Sequence, residues 1–322
     1  MRMRIIITLE RDGTMKRARK WGFAAIMLSL LLVAACGAKE DNTVNSPTAK
    51  ADAAEQPLRV VATTVTYPDF LYSLGVTPVA AENANAEFPS YLNGAFDAVP
   101  KLGGVLNLEG ILAAAPDLII GANWRDAKNV DQLNKIAKTV LLPDRDNWRD
   151  ELRDMGEALN KKEQAEQVIA DYEEKIKQAK ESLKPLVGEE TFMYMRIIGK
   201  DSYVMGPLAS RGKVIHGELG LHSVPTFPKD EESIAISLEM LPELNPDHII
   251  LQVEAGDDAA SAQKIYEDMK SNAVWMGLKA VKENHVYLVG DKDWMNFSFS
   301  PVATLNAVNE IVETIKQQNG NK

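Results

Sequence analysis

The sequence predicts two α/β lobes with mainly parallel sheets, joined by a single long helix, with a ligand cleft between the lobes. Three observations predict this. Short β-branched runs alternate with helical stretches at the spacing of parallel βαβ units. A long helical segment, Trp148 to Lys184, divides the chain and breaks once. A helix, a Pro-Asp turn and a strand occur together twice, every position offset by 130 residues.

Arg59-Val60-Val61-Ala62-Thr63-Thr64 reads as a buried strand. Asp69 to Leu74 reads as a helix closed by Gly75, and Val76 to Ala80 as the next strand. Leu108 to Ala115 is a helix stopped by Pro116, followed by the strand Leu118-Ile119-Ile120. Val130 to Lys138 and Val140 to Leu142 repeat that alternation. The long segment breaks near Asn160, a residue suited to a helix C-terminus. Its second part carries Ala165, Val168, Ile169, Tyr172, Ile176 and Ala179 on one stripe, opposite mixed charges, and ends at Pro185 and Gly188. Strands resume at Thr191 to Ile198, Ser202 to Met205, His248 to Val253 and His285 to Val289. The repeated unit pairs Leu108-Glu109 and Pro116-Asp117 with Leu238-Glu239 and Pro246-Asp247, as an internal duplication would. The organisation is thus a leader at 1–35, a tether at 36–57, an N-terminal lobe at 58–160, a connecting helix at 161–185 and a C-terminal lobe at 186–322.

The leader has the three parts of an export signal: the basic run after Met15, the apolar run Trp21 to Val33, and small residues before Cys36. Met15 fits that pattern as the natural start. Residues 37–57 hold one Val and no other large apolar side chain, too little burial to offset the entropy of ordering. Beyond position 35 the chain carries 29 basic and 44 acidic residues, a balance of −15 that argues against a nucleic-acid partner. Cys36 is the only cysteine, so no internal disulfide forms.

Val33-Ala34-Ala35-Cys36 resembles the lipobox of bacterial lipoproteins. That resemblance implies cleavage before Cys36 and a diacylglycerol on its thiol, two acyl chains being enough for stable anchoring on the extracellular face of the cell membrane. The rest of the chain resembles the substrate-binding proteins of iron–siderophore and vitamin B12 ABC importers. The residues that carry the resemblance are VVATT, Pro100-Lys101-Leu102-Gly103, Asn107-Leu108-Glu109 with APDLIIG, SLEML with NPDHIIL, and WMGLKAVKENHVYLV. It covers about residues 58–318. It implies a monomeric binder, with no cofactor of its own, that delivers a ferric siderophore to a permease dimer and its ATPase. It also implies that Glu109 and Glu239, one per lobe, meet basic pockets of that dimer, and that the single-helix connector allows only modest hinge bending.

Ligands of open α/β sheets bind beyond the carboxyl ends of the strands. That rule selects Thr66 and Tyr67, then Asn123, Trp124 and Arg125, then Arg196, then Arg211 in the loop 206–212, then Trp294, Phe297 and Phe299. Lys101 is a further cation. Guanidinium groups suit chelate oxygens, and flat aromatics suit the organic rim of a chelate. Trp124 equally suits packing at the lobe edge, and Arg211 equally suits a solvated loop. Lys101, Arg125 and Arg196 point towards an anionic catecholate or citrate-based complex, and a hydroxamate fits an Arg–Trp set as well. His216, His222, His248 and His285 do not gather at metal-ligand spacing, so no bare metal site is expected. No nucleophile elbow, phosphate loop or metalloprotease motif is present, so an enzyme is not expected. Haem or cobalamin binding (Tyr67 or His216 serving as a haem ligand) and a sensor or adhesin role remain open alternatives.

Overall fold

The computed structural model describes residues 58–254, 259–290 and 299–319. The chain divides into two units, Met1–Glu55 and Gln56–Lys322, and every described residue lies in the second. The leader, the tether and Cys36 therefore lie outside the described residues. Among the described residues no helix is long and apolar enough to cross a membrane.

The first sheet is built from β1 (Val60–Ala62), β2 (Ala80–Ala81), β3 (Leu118–Ala122) and β4 (Lys138–Leu142), all parallel, in the order β2-β1-β3-β4. β1 and β3 are fully buried, which is why they read as unbroken apolar runs. β2 is shorter than the run Val76 to Ala80 suggests, because Pro78 has no N–H to give to a ladder. Between the strands run α1 (Tyr67–Ser73), α2 (Leu108–Ala113), α3 (Asn123–Asp126) and α4 (Val130–Leu133). Pro68 opens α1, and Gly75 closes it at a φ of 67°. The Asn107 side chain caps α2 by accepting the Gly110 N–H at 2.9 Å. α4 stops at Leu133, well short of the helix expected to Lys138, which instead begins β4.

α5 (Trp148–Ala158) is capped by Asn147, and Asn160 at a φ of 54° turns the chain into α6 (Lys162–Val187). α6 runs past the expected end at Pro185. Pro185 lies inside the last turn, where it forgoes one intrahelical hydrogen bond, and Gly188 at a φ of 52° is the real terminus. The N-terminal half of the α6 stripe, Ala165, Ile169 and Tyr172, packs into the core of the first lobe. Its C-terminal half, Ala179, Leu183 and Val187, packs into the second, and Ile176 touches both.

The second sheet contains β5 (Thr191–Ile198), β6 (Asp201–Met205), β7 (His222–Ser223), β8 (Ser233–Ala235), β9 (His248–Val253) and β10 (Val286–Val289). Its order is β10-β9-β5-β6-β8, with β7 also on β5. β6 and β8 are antiparallel additions; the remaining pairs are parallel. Without those additions, β7-β5-β9-β10 reproduces β2-β1-β3-β4. The repeated Pro-Asp turns do equivalent work. Asp117 accepts the Arg59 amide at 3.0 Å before β1, and Asp247 accepts the Thr191 amide at 2.7 Å at the start of β5.

Around the second sheet lie α7 (Ser210–Gly212), which passes into a π-helical turn at Lys213–Glu218, then α8 (Leu241–Leu244), α9 (Ala259–Lys270), α10 (Ala273–Gly277), α11 (Lys279–Lys282) and α12 (Pro301–Asn319). α12 packs on α6 and on α1 of the first lobe.

Candidate functional site

The carboxyl ends of the parallel strands open onto three depressions. One, of about 520 Å³, lies beyond β1 and β3 and is lined by Thr64, Thr66, Glu82, Trp124, Arg125 and Asp126. A second, of about 230 Å³, lies between the lobes, with Trp148 and Arg149 on one side and Leu208, Lys213 and Glu218 on the other. The third, of about 540 Å³, lies beyond β9 and β10 against Glu254 and Gly290. Their volumes suit parts of one organic ligand rather than a bare ion.

Trp124 stands 70% exposed at the rim of the first depression, its backbone N–H held by Asp144 at 3.1 Å. Arg125 is half-buried beside it. Its guanidinium pairs with the Glu82 carboxylate and lies 3.9 Å from Asp126. Burial lowers its pKa, and Asp126 partly restores it. Lys101 is exposed and pairs with Glu87. Arg196 is half-buried in β5, opposite Tyr203 of β6 and Gln252 of β9. Trp294 and Phe297 lie outside the described residues. Phe299, also selected from the sequence, lines the depression between the lobes.

Two sequence expectations are corrected. Tyr67 is a core residue, 1% exposed, whose ring meets Phe70 edge-on and whose hydroxyl donates to Glu151 at 3.0 Å. It is the first residue of α1, whose first five residues are all buried. Arg211 is not at a loop tip. It is 4% exposed within a helical turn and donates to the Ala303 carbonyl at 3.5 Å. A Cβ on Gly212 would collide with the Gly206 carbonyl, so the turn folds back tightly and draws Arg211 into the interior. Burial lowers the Arg211 pKa, while Tyr194, Tyr91, Tyr172 and Asp69 oppose that fall.

Arg149 is the cation that sequence reasoning misses. It lies against the rings of Trp148 and Tyr172, 4.8 Å from each centroid, and those rings meet edge-on at 4.9 Å. Its two terminal nitrogens donate to Glu218 at 3.3 and 3.0 Å, and Tyr172 donates to the same carboxylate at 2.8 Å. Applied to Val140–Leu142, the strand-end rule points to this stretch. The histidines are dispersed. His216 is bonded to the Leu221 carbonyl at 2.8 Å, His222 pairs with Glu189 at 3.1 Å, and His248 stacks on His285 with centroids 4.3 Å apart. Among the described residues no three His, Cys, Asp or Glu side chains are placed to hold a metal ion.

Glu109 and Glu239 are both exposed, at the starts of the duplicated helical segments. Hydrogen bonds from Ser237 and from its own backbone amide hold the Glu239 carboxyl below its ordinary range.

The chain is similar to the iron-uptake system-binding protein of Bacillus subtilis (strain 168), 26% identical across 82% of this chain and 88% of that protein. It is similar also to the iron(3+)-hydroxamate-binding protein FhuD of the same organism, 30% identical across 80% of this chain and 81% of that one. Among solved structures, Staphylococcus aureus SirA superposes with a TM-score of 0.67 at 26% identity, across 80% of this chain and 98% of that one. The family model described as periplasmic binding protein matches residues 60–292, and the chain belongs to that family.

Proposed function

We propose that this protein captures a ferric siderophore between its two lobes and delivers it to the permease dimer of an ABC importer. The observation that carries this reading is a pair of duplicated lobes whose strand ends open onto organic-sized depressions carrying Trp124, Arg125, Arg149 and Lys213. Relatives named for iron uptake and for iron(3+)-hydroxamate binding support it. Trp124, Arg125 and Arg196 are the proposed ligand contacts retained from the sequence, with Lys101 at the periphery. Glu109 and Glu239 are proposed to dock on the permease. They occupy matching positions on duplicated lobes, which suits a partner with two equivalent basic pockets. Residues 1–35 are proposed to direct export, Cys36 to carry the lipid that holds the protein on the extracellular face, and 36–57 to tether the lobes 58–160 and 186–322 joined by the helix 161–185. No chemistry is assigned to the chain itself, and the ligand is cargo rather than cofactor.

The test is quenching of intrinsic tryptophan fluorescence in the detergent-solubilised full chain, titrated with ferric siderophores, haem and cobalamin. Saturable sub-micromolar quenching by a ferric siderophore is expected. Quenching by haem or cobalamin alone would move the substrate, and silence from a folded chain would refute the assignment. Glu109→Ala with Glu239→Ala should leave the quenching intact and abolish ligand-stimulated ATPase activity of the reconstituted importer.

A further inference from the structure

The wall of the N-terminal lobe is short of positive charge. Glu82 is 5% exposed and Asp126 is 0% exposed, and both line the depression beyond β1 and β3. Between them stands one cation, Arg125, paired with Glu82 and 3.9 Å from Asp126 Oδ1. Asp126 Oδ2 accepts the Thr63 hydroxyl at 2.5 Å and the Ala122 N–H at 3.3 Å. Asp126 Oδ1 has no hydrogen bond, and neither does the buried Thr64 hydroxyl; Glu82 Oε2 has only the ion pair. A carboxylate oxygen can only accept. Buried acceptors without donors are costly and leave the negative charge behind this wall poorly compensated.

Resting on the siderophore reading above, we propose that the two buried carboxylates behind this wall disfavour negative charge, and thereby select a ferric hydroxamate without net negative charge over an anionic catecholate chelate. The charge arithmetic is simple. Singly charged hydroxamates cancel the charge of a ferric ion, and their chains carry amide N–H and, in some, ammonium groups. Doubly charged catecholates leave the complex strongly negative. An anionic chelate that contacts Arg125 must share that one guanidinium with the buried Glu82 carboxylate, and so brings like charge close to it. Two further cations near the cleft have protein counter-ions as well: Lys101 pairs with Glu87, and Arg149 with Glu218.

The experiment is a parallel titration of the detergent-solubilised full chain with ferrioxamine B, a hydroxamate chelate, and ferri-bacillibactin, a catecholate chelate. Ferrioxamine B is expected to bind about tenfold to a hundredfold more tightly, the effect of one unpaired charge at close range. Added salt should narrow the gap by screening the repulsion of the catecholate. Glu82→Gln should narrow it about tenfold, and Asp126→Asn serves where Glu82→Gln does not fold. Ferri-bacillibactin binding as tightly as ferrioxamine B to the unaltered chain would overturn this inference and leave the siderophore reading standing. An unchanged ratio in a folded variant would overturn the assignment to this wall. Binding of neither chelate by a folded chain would overturn this inference, and the wider siderophore panel then decides the reading on which it rests.

Discussion

Asp69 belongs to α1 of the first lobe, yet its carboxylate accepts the N–H groups of Val302 and Ala303 at 2.9 and 2.8 Å, at the start of α12. A helix N-terminus presents unpaired amides and favours negative charge, so the residue type suits the place. Burial nevertheless raises its pKa from 3.8 to about 6, against the lowering effect of those bonds and of the Ser300 and Tyr91 hydroxyls. Between the unfolded and folded values the native state binds more protons than the unfolded chain. Stability therefore falls as pH rises from about 4 to about 6 and then levels. The displacement corresponds to about 3 kcal/mol. Urea unfolding across that range should show this decline in the unaltered chain and its absence in Asp69→Asn; parallel profiles would mean that another group titrates. The same residue scale shows what sequence conveys about the site. Strand-end spacing finds Trp124 and Arg125, because it needs only the end of one apolar run. It does not reveal that Glu82, 43 positions earlier, neutralises Arg125, since that pairing depends on β2 and β3 both flanking β1.

Among elements, the two Pro-Asp turns show how a duplicated sequence becomes a duplicated sheet. Each aspartate ties the amide at or just before the start of the central strand, fixing the register of β3 on β1 and of β9 on β5. Asp247 does more, since it also accepts the Thr191 hydroxyl at 2.8 Å and Lys279 at 2.6 Å. Asp117→Ala should cost about 1 kcal/mol and Asp247→Ala about 2–3 kcal/mol in thermal or urea unfolding, given the usual worth of such bonds. An equal loss at both sites would show that the extra donors contribute nothing. Burial opposes the shift, but Lys279 and Thr191 prevail and hold the Asp247 pKa down, to about 2. Its contribution is thus complete above pH 4 and lost as pH falls towards 2. The longer strands of both sheets and the break at Asn160 are legible because each is a local pattern: a buried apolar run, or a residue tolerant of positive φ. The strands β7 and β8 are not, being two and three residues long and fixed by their neighbours. The end of α6 is misplaced by the sequence as well, since the helix continues past Pro185 to Val187.

Across the whole molecule, the lobes are joined by more than α6. α12 crosses from the second lobe onto α1 and is capped by Asp69, while Arg149 of α5 reaches Glu218 in the π-helical turn of the second lobe. Arg149 also rests against Trp148 and Tyr172 and donates to Glu218 through both terminal nitrogens, so this contact is fixed in direction as well as in charge. Three connections between the lobes resist wide opening, and the single-helix connector of the family that the sequence resembles implies the same modest motion. A body of this size has a radius of gyration of about 18 Å. Ligand binding should reduce it by less than about 0.5 Å in small-angle scattering, a small fraction of that expected dimension. Replacing both partners, Arg149→Met with Glu218→Gln, removes the contact without leaving a lone buried charge. The double variant should then show a larger change on binding and faster amide exchange at Asn147–Arg149 and Lys213–Glu218. Compaction of several ångströms in the unaltered chain would mean that these contacts break on closure. Undiminished protection in the double variant would mean that α6 and α12 alone set the geometry of the cleft.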